Sequence, residues 1–238
     1  MGKRITQQAR GKGSLTFRVR PRAYVHKITY PKLENKGNAK IVKLFNSSAH
    51  STPLIKVSIG DEFFIVPAAN GIYEGQEIKI GKRGENENPV AGDIIQLKDI
   101  PQGTRVFNIE NVPGKGGKFL RSSGSSGIVM NKDEKKVEIV IKRRRIKLNN
   151  KCRAIVGVAA GDGRKMKPLI KAGKKHHIMK AIGRKWHRTS AIKTNAIDHP
   201  FGGGRGKRIK SKISKRNSSP GQKVGHISPR RTGRGKGK

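Results

Sequence analysis

Asp198 and His199 are adjacent residues whose types could support acid–base chemistry, because a neighbouring carboxylate raises the basicity of an imidazole. Neighbours in sequence rarely hold each other in the geometry of a catalytic triad, and the spacing indicates no serine or cysteine nucleophile for them. The alternative is a structural loop. Pro200 fixes its own backbone, and Gly202–Gly204 let another backbone approach closely, so the pattern favours a stiff loop that presses against a crowded surface.

Other reactive side chains are typical of packing or phosphate contact rather than of metal chemistry. His176 and His177 are adjacent and lack a third ligand, so a solvent-facing or phosphate-facing pair is predicted. Cys152 is the single cysteine, which excludes an internal disulfide and a cysteine-based zinc site. It precedes an apolar run and is predicted to be a core or near-core thiol. We predict no metal site and no cofactor of the protein's own.

Two basic segments are typical of turns that contact phosphates. Residues 114–118 contain the glycines and lysines of a phosphate loop but lack its Gly-Lys-[Ser/Thr] ending, so a basic hairpin turn is predicted. Arg143, Arg144 and Arg145 could serve as a nuclear-localisation patch. They fall in a predicted strand pair, which favours a solvated or RNA-facing hairpin.

Positive charge dominates the chain and is unevenly distributed. Lys and Arg number 55 against 15 Asp and Glu, which gives a net charge of +40 over 238 residues. Residues 37–98 carry seven of each sign, whereas residues 163–238 carry 24 basic residues and one acid. Nucleic acid is the partner that best supplies the missing negative charge. No apolar run approaches the roughly 20 residues that span a bilayer, so no membrane partner is predicted.

The type of nucleic acid indicated is a folded RNA. Aromatic residues make up 5% of the chain and several fall in apolar strands, which argues against a sheet that stacks bases. Arg suits bidentate phosphate recognition and Lys suits bulk neutralisation. A general basic DNA- or chromatin-binding protein remains the alternative, although the usual helical DNA-reading motifs are not visible.

Short strands separated by turns must position these basic segments. The pattern predicts strands at residues 41–45, 54–59, 62–66, 77–80, 94–97, 105–109, 128–131, 137–142, 144–148 and 153–158, with Gly, Asn or Pro in most gaps. Ten strands exceed one five-stranded barrel, so two tandem barrels are predicted, with a boundary near residues 99–103. Residues 168–186 are predicted to hold one or two short helices. Residues 200–238 are basic and Gly-rich, and would order only against a partner.

Five stretches resemble the universal large-subunit ribosomal protein L2 family, over nearly the full length of the chain. They are residues 75–82, 101–104, 114–124, 153–173 and 198–204, of which the last is the most specific. Residues 225–234 look like the family's ending. Phe201 and the opening residues 11–14 are closer to the archaeal and eukaryotic branch. Ala196 stands where the family usually has Pro, which makes the entry to the loop less rigid.

The resemblance implies a mainly β fold, with an OB-like barrel followed by an SH3-like barrel and extended basic N- and C-terminal tails. We assign residues 1–36 to the N-terminal extension and 37–98 to the OB-like barrel. Residues 99–187 are assigned to the SH3-like barrel with a short helical segment, and 188–238 to the C-terminal tail. The resemblance also implies a structural constituent of the large subunit that binds rRNA and supports subunit association and the peptidyl-transferase region. Peptide-bond chemistry then belongs to the RNA, and no enzymatic activity is expected.

The implied partners are large-subunit rRNA and neighbouring ribosomal proteins, with the small subunit and tRNA as further candidates. The expected location is the ribosome, in the cytoplasm, and Mg²⁺ associated with rRNA is the ion expected nearby. The predicted loop near the peptidyl-transferase centre consists of Asn195, Asp198, His199, Pro200, Gly202, Gly203 and Gly204. The predicted rRNA-binding side chains are Arg10, Lys12, Arg18, Arg20, Arg22, Lys115, Lys118, Arg121, Arg164, Lys171, Lys174, Arg184, Arg188, Arg205, Lys207, Arg208, Arg230, Arg231 and Arg234.

Overall fold

The chain forms two compact units, one of residues 21–170 and one of residues 1–20 together with 171–238. The computed structural model describes residues 6–35, 37–82, 84, 87–204, 213–219 and 221–229. Within these ranges, no helix is long and apolar enough to cross a membrane. Each unit is held together by different interactions.

The unit of residues 21–170 is built from strands. They are β1 (Gly37–Phe45), β2 (Leu54–Ile59), β3 (Glu62–Pro67), β4 (Glu77–Ile80), β5 (Ile94–Gln96), β6 (Arg105–Phe107), β7 (Ile109–Glu110), β8 (Gly117–Phe119), β9 (Gly127–Lys132), β10 (Lys136–Ile141), β11 (Arg144–Asn149) and β12 (Arg153–Val156). Ten of them form one sheet in the order β11-β10-β9-β6-β12-β5-β4-β1-β2-β3, and β7 pairs with β8. The mainly β prediction is confirmed.

Each of the ten predicted strands is present, with small shifts at the ends. The predicted strand at 105–109 is divided in two, because Asn108 has a left-handed φ of 49° and separates β6 from β7. β8 was not predicted, since it is three residues long and begins at a glycine in a Gly-rich stretch. Strand positions are therefore predictable wherever apolar residues alternate.

Two hydrophobic clusters lie in this unit, and the middle strands of the sheet contribute to both. Successive side chains on a strand point to opposite faces. Adjacent residues of β5, β6 and β12 therefore belong to different clusters. The first cluster contains Ile94, Phe107 and Ile155. The second contains their neighbours Ile95, Val106 and Ala154. Strands buried on both faces read as continuous apolar runs, which explains residues 154–156. The first cluster therefore includes residues from both sides of the predicted boundary at residues 99–103, among them Ile94, Phe107 and Ile155.

Part of the predicted N-terminal extension packs in the strand-rich unit. Ala23, Tyr30 and Pro31 are buried there. The Tyr30 hydroxyl donates a hydrogen bond to the Asn108 carbonyl oxygen at 2.5 Å. Burial, and next the nearby Glu110 carboxylate, raise the pKa of Tyr30 well above its usual range. The domain boundaries assigned from the sequence, at residues 36, 98 and 187, stay predictions.

The second unit contains little regular structure. Its elements include α1 (Thr6–Gly11), α2 (Ala172–Ala181) and a parallel pair of two-residue strands, β13 (Ile213–Ser214) and β14 (His226–Ile227). The prediction of a short helix within residues 168–186 is confirmed by α2. This helix ends in a Schellman motif, since Arg184 N–H donates to the Met179 carbonyl oxygen at 2.8 Å and Gly183 takes a φ of 65°.

Gly183 also lets the N-terminal segment approach the end of α2. A Cβ at this position would lie 2.9 Å from the Arg18 carbonyl carbon and oxygen. Only a residue without a side chain tolerates that contact together with a positive φ. Residues separated by more than 160 positions in sequence are brought together at this glycine.

Candidate nucleic-acid interface

A basic cleft, with a volume of about 1210 Å³, opens on the strand-rich unit. Three of the predicted rRNA-binding side chains line it, and the structure adds three further cations from the β10–β11 hairpin. No Asp or Glu is among the described residues that line it. The six basic residues are Lys118, Arg121, Lys142, Arg143, Arg144 and Arg164. Such an arrangement concentrates positive potential over a concave surface, which suits a polyanion.

The β10–β11 hairpin explains why two of the three consecutive arginines face the cleft. Ile141 pairs with Arg144, so Lys142 and Arg143 form the turn, with a left-handed φ of 57° at Lys142. Arg144 and Arg145 point to opposite faces because side chains alternate along a strand. Arg144 lines the cleft, whereas Arg145 Nη1 lies 3.9 Å from Glu138 Oε1.

Hydrogen bonds between two loops fix the floor of the basic cleft. The Thr52 hydroxyl donates to the Arg121 carbonyl oxygen at 3.1 Å, and Ser123 N–H donates to Ser51 Oγ at 3.1 Å. A Cβ at Gly124 would collide with the Asp162 side chain, so the loop that carries Arg121 packs closely against the segment before Arg164. The guanidinium groups therefore project from a supported backbone.

Two aromatic rings form part of the wall. Tyr24 and His50 line the cleft, and their rings meet edge-to-face at a centroid distance of 5.1 Å. Ser47 Oγ lies 2.8 Å from His50 Nδ1. Burial, and next the neighbouring Arg121, lower the pKa of His50, which favours the neutral imidazole.

The backbone of the basic turn at residues 114–118 is hydrogen-bonded to the buried carboxylate of Glu110. Glu110 Oε1 accepts a hydrogen bond from Gly116 N–H at 3.1 Å, and Oε2 accepts one from Gly114 N–H at 3.3 Å. The same carboxylate pairs with Arg153, whose Nη2 lies 3.0 Å from Oε1 and whose backbone N–H lies 2.9 Å from Oε2. The turn therefore presents Lys115 and Lys118, both exposed, on a fixed backbone.

Sequence reasoning did not identify Glu110 and Arg153 as organising residues. Both side chains are almost fully buried, and Arg153 Nη1 also donates to the Pro31 carbonyl oxygen at 2.7 Å. A signal existed, because Glu110 is the only acid between Asp99 and Asp133 and lies in an apolar strand. A lone carboxylate in such a place is expected to have a buried cationic partner.

In the second unit, a smaller cleft of about 580 Å³ gathers basic residues around Trp186. Lys175 Nζ lies 5.5 Å from the Trp186 ring centroid, and the His187 ring stacks on Trp186 at a centroid distance of 4.0 Å. Predicted binding residues from α1 and from the segment after α2 meet here. They are Arg10, Arg184 and Arg188.

The His199 loop is held by its own backbone. Asp198 N–H donates to the Asn195 carbonyl oxygen at 3.0 Å, and Gly203 N–H donates to the Thr194 carbonyl oxygen at 3.2 Å. A Cβ at Gly202 would collide with the carbonyl oxygens of Thr194 and Asn195. At this glycine the closely approaching backbone is that of the loop itself, and the predicted approach to an external surface stays a prediction.

The imidazole of His199 is oriented by a main-chain contact. Phe201 N–H donates to His199 Nδ1 at 3.1 Å. Because Nδ1 accepts, the proton of the neutral ring resides on Nε2. In a catalytic triad the same nitrogen donates to a carboxylate instead. This geometry favours an oriented hydrogen-bond donor over a general base.

The amino-acid sequence is similar to a known protein family over most of its length. The family model described as ribosomal proteins L2, C-terminal domain, matches residues 90–221, which is more than half of the chain. The large ribosomal subunit protein uL2 of Archaeoglobus fulgidus is 42% identical over 98% of this chain and 99% of its own length. That of Methanocaldococcus jannaschii is 41% identical over 98% and 99%, and that of Sulfurisphaera tokodaii is 39% identical over the full length of both chains.

The chain belongs to the ribosomal protein L2 family. The relatives named above are archaeal, in agreement with the branch indicated by Phe201 and residues 11–14. The L2-family assignment covers both the strand-rich unit and the His199 loop, because residues 90–221 include parts of each.

The remaining predicted binding residues of this L2-family chain divide into two groups. Those that the structure describes are exposed but do not line either cleft: Lys12, Arg18, Arg20, Arg22, Lys115, Lys171 and Lys174. The others lie outside the described residues: Arg205, Lys207, Arg208, Arg230, Arg231 and Arg234.

Proposed function

We propose that this chain is a structural constituent of the large ribosomal subunit that binds rRNA and has no enzymatic activity of its own. The basic cleft is the observation that carries the proposal. Its lining combines six cations with serine hydroxyls and contains no carboxylate among the described residues. The family assignment supports the same partner, because its archaeal relatives are named large ribosomal subunit proteins.

The strand-rich unit docks on rRNA through the basic cleft and the adjacent turn that carries Lys115 and Lys118. Arg side chains on a supported backbone bind phosphates bidentately at low entropic cost. The exposed cations of residues 10–22 and 171–188 add contacts that neutralise further phosphates. The predicted rRNA-binding residues are proposed to act together in this way.

The His199 loop supports the peptidyl-transferase region by packing against rRNA. Its Nε2–H is a fixed donor, and Gly204, where a Cβ would meet no atom within 4 Å, leaves room for a close backbone approach. Subunit association, contacts with neighbouring ribosomal proteins, the small subunit and tRNA, and a cytoplasmic location in the ribosome are parts of the same proposal. Truncating the chain at Ile197 should impair translation by the particles while leaving the strand-rich unit folded.

The decisive experiment measures binding of the full chain to large-subunit rRNA as a function of salt. Each phosphate neutralised contributes roughly −0.7 to −0.9 to the slope of log affinity against log salt. The triple variant Lys142→Gln/Arg143→Gln/Arg144→Gln should reduce the magnitude of that slope by about 2 to 3. The control is Lys40→Gln/Lys43→Gln, which changes two exposed lysines of β1 outside the cleft.

Three outcomes would count against the proposal. A flat response between 50 and 200 mM salt would exclude phosphate-driven binding, given the ~10³- to 10⁵-fold loss expected for several phosphate contacts. Equal or tighter binding to duplex DNA at the same salt would favour the basic DNA-binding alternative. Turnover of an RNA substrate that disappears in His199→Ala would show an enzyme.

A further inference from the structure

The basic cleft contains an exposed aromatic ring, which phosphate binding alone does not require. Tyr24 is 56% exposed although it lines the cleft and contacts His50. His50 is held in place by Ser47, so the ring pair is fixed at one edge. More than half of the Tyr24 surface is therefore available to a ligand that also contacts the cations.

We propose that the basic cleft holds a single-stranded segment of RNA, with one unpaired base stacked on Tyr24. The inference rests on the proposed rRNA binding and narrows it to the class of RNA segment bound at this site. Arg121, Arg144 and Arg164 hold the phosphates that flank the stacked nucleotide. An aromatic ring beside guanidinium groups is the combination by which proteins bind unpaired nucleotides.

The size and openness of the cleft favour a strand over a mononucleotide. Small-molecule sites enclose roughly 300–1,000 Å³, whereas this cleft measures about 1210 Å³ and is open. A duplex would place its bases inside the stack, so Tyr24 would meet only sugar and phosphate. An unpaired segment exposes base faces to the ring and 2′-hydroxyls to Ser51 and Ser122, which also line the cleft.

The position of Tyr24 distinguishes this site from a base-stacking sheet. The residue lies in the irregular segment before β1, not on a strand. The low aromatic content of the chain argues only against a sheet platform, and a single loop residue is enough to stack one base. An acidic peptide would satisfy the cations but would not need the ring.

The test uses the full-length protein and two RNA probes of the same length, one unpaired and one fully paired in a blunt-ended duplex. The unpaired probe carries 2-aminopurine, whose fluorescence is quenched by stacking. Tyr24→Ala should weaken binding of the unpaired probe by roughly 5- to 150-fold and abolish the quenching, whereas Tyr24→Phe should retain both. Tyr73→Ala is the matched control, because Tyr73 is 64% exposed in the same unit and lies outside the cleft.

Ultraviolet cross-linking to large-subunit rRNA reports directly on the Tyr24 contact, whereas affinity also includes the contacts made elsewhere in the chain. The cross-linked peptide should contain Tyr24 and an unpaired nucleotide, and thermal unfolding of each variant checks that it is folded. Tyr24→Ala with unchanged affinity and quenching would overturn the stacking while leaving salt-dependent rRNA binding intact. An equal loss on the duplex, or stronger competition by poly-glutamate than by unpaired RNA, would also overturn it. Loss of salt-dependent binding in the wild-type chain would instead remove the proposed function itself.

Discussion

The two units of this chain are stabilised by different means. Within the described residues, every buried hydrophobic side chain lies between Ala23 and Ala159, in the unit of residues 21–170. The other unit buries Gly202 and Ser214 and holds its loops through backbone hydrogen bonds. One unit is thus stabilised by apolar burial, and the other by turns and glycine contacts.

The difference shows that a strongly basic chain can fix some of its cations on a folded frame and leave others on segments that order against a partner. Burial of apolar side chains gives a rigid frame on which cations are fixed, as in the basic cleft. A segment without a core gains little free energy from its own contacts, and its ordering entropy must be offset by a partner. The His199 loop belongs to the second class, with local stiffness supplied by Pro200 and by the close backbone packing at Gly202.

The largest expected difference between the two units is in their rates of cleavage during limited proteolysis of the free chain. Trypsin cleavage requires local opening, which is easier where no core must be disrupted. We expect sites within residues 171–193 to be cut at least about 100-fold faster than sites within β9–β12, because opening costs differ by several kcal/mol. Mass spectrometry of the first fragments gives the order, and early cuts within β9–β12 would contradict the comparison.

Removal of the buried carboxylate should strongly destabilise the strand-rich unit. Glu110→Ala leaves Arg153 buried and unpaired, which is expected to lower the free energy of unfolding by about 3–5 kcal/mol. Urea denaturation followed by circular dichroism measures the loss. The control is Glu138→Ala, since the Arg145 side chain of that pair is 70% exposed and the pair is expected to contribute about 0–1 kcal/mol. Similar losses in the two variants would contradict the anchoring role of Glu110.

Truncation of isoleucines should affect the two units differently. Ile155→Ala removes a side chain that is 1% exposed and should cost about 2–5 kcal/mol. Ile197→Ala removes one that is 69% exposed and should change the free energy of unfolding by less than about 0.5 kcal/mol. A large effect at Ile197 would show that the second unit has a core of its own.

Alkaline pH should weaken the strand-rich unit through Cys152. Burial, with a further contribution from Glu110, raises the pKa of this thiol to about 11 from an ordinary value of 9.0. The folded state holds its proton while the unfolded state loses it, so this stability is present below pH 9.0 and is lost as the pH rises towards 11. The expected loss is up to about 3 kcal/mol. Cys152→Ala should flatten that part of the curve, and an unchanged pH dependence would contradict a protonated core thiol.

The strands and the His199 loop could be predicted because their sequence signals are local. Alternating apolar residues and punctuating glycines located the ten strands, and Gly202 was identified from its place after Pro200. The Glu110–Arg153 pair could not be predicted in the same way, because its members are 43 positions apart and meet only when β7 and β12 fold together. The contact of Gly183 with Arg18 escaped prediction for the same reason.

The sequence by itself determined the charge distribution, the strand positions, a short helix within residues 168–186 and the family resemblance, since each depends on composition, periodicity or a contiguous motif. Tertiary structure alone decided which cations share a surface. It brought Lys118, Arg121 and Arg164 together with Tyr24 and the β10–β11 turn, and it directed Arg144 but not Arg145 into the cleft. The physical reason is that side-chain direction and long-range pairing are fixed by strand register and by the two buried clusters, which no local pattern encodes.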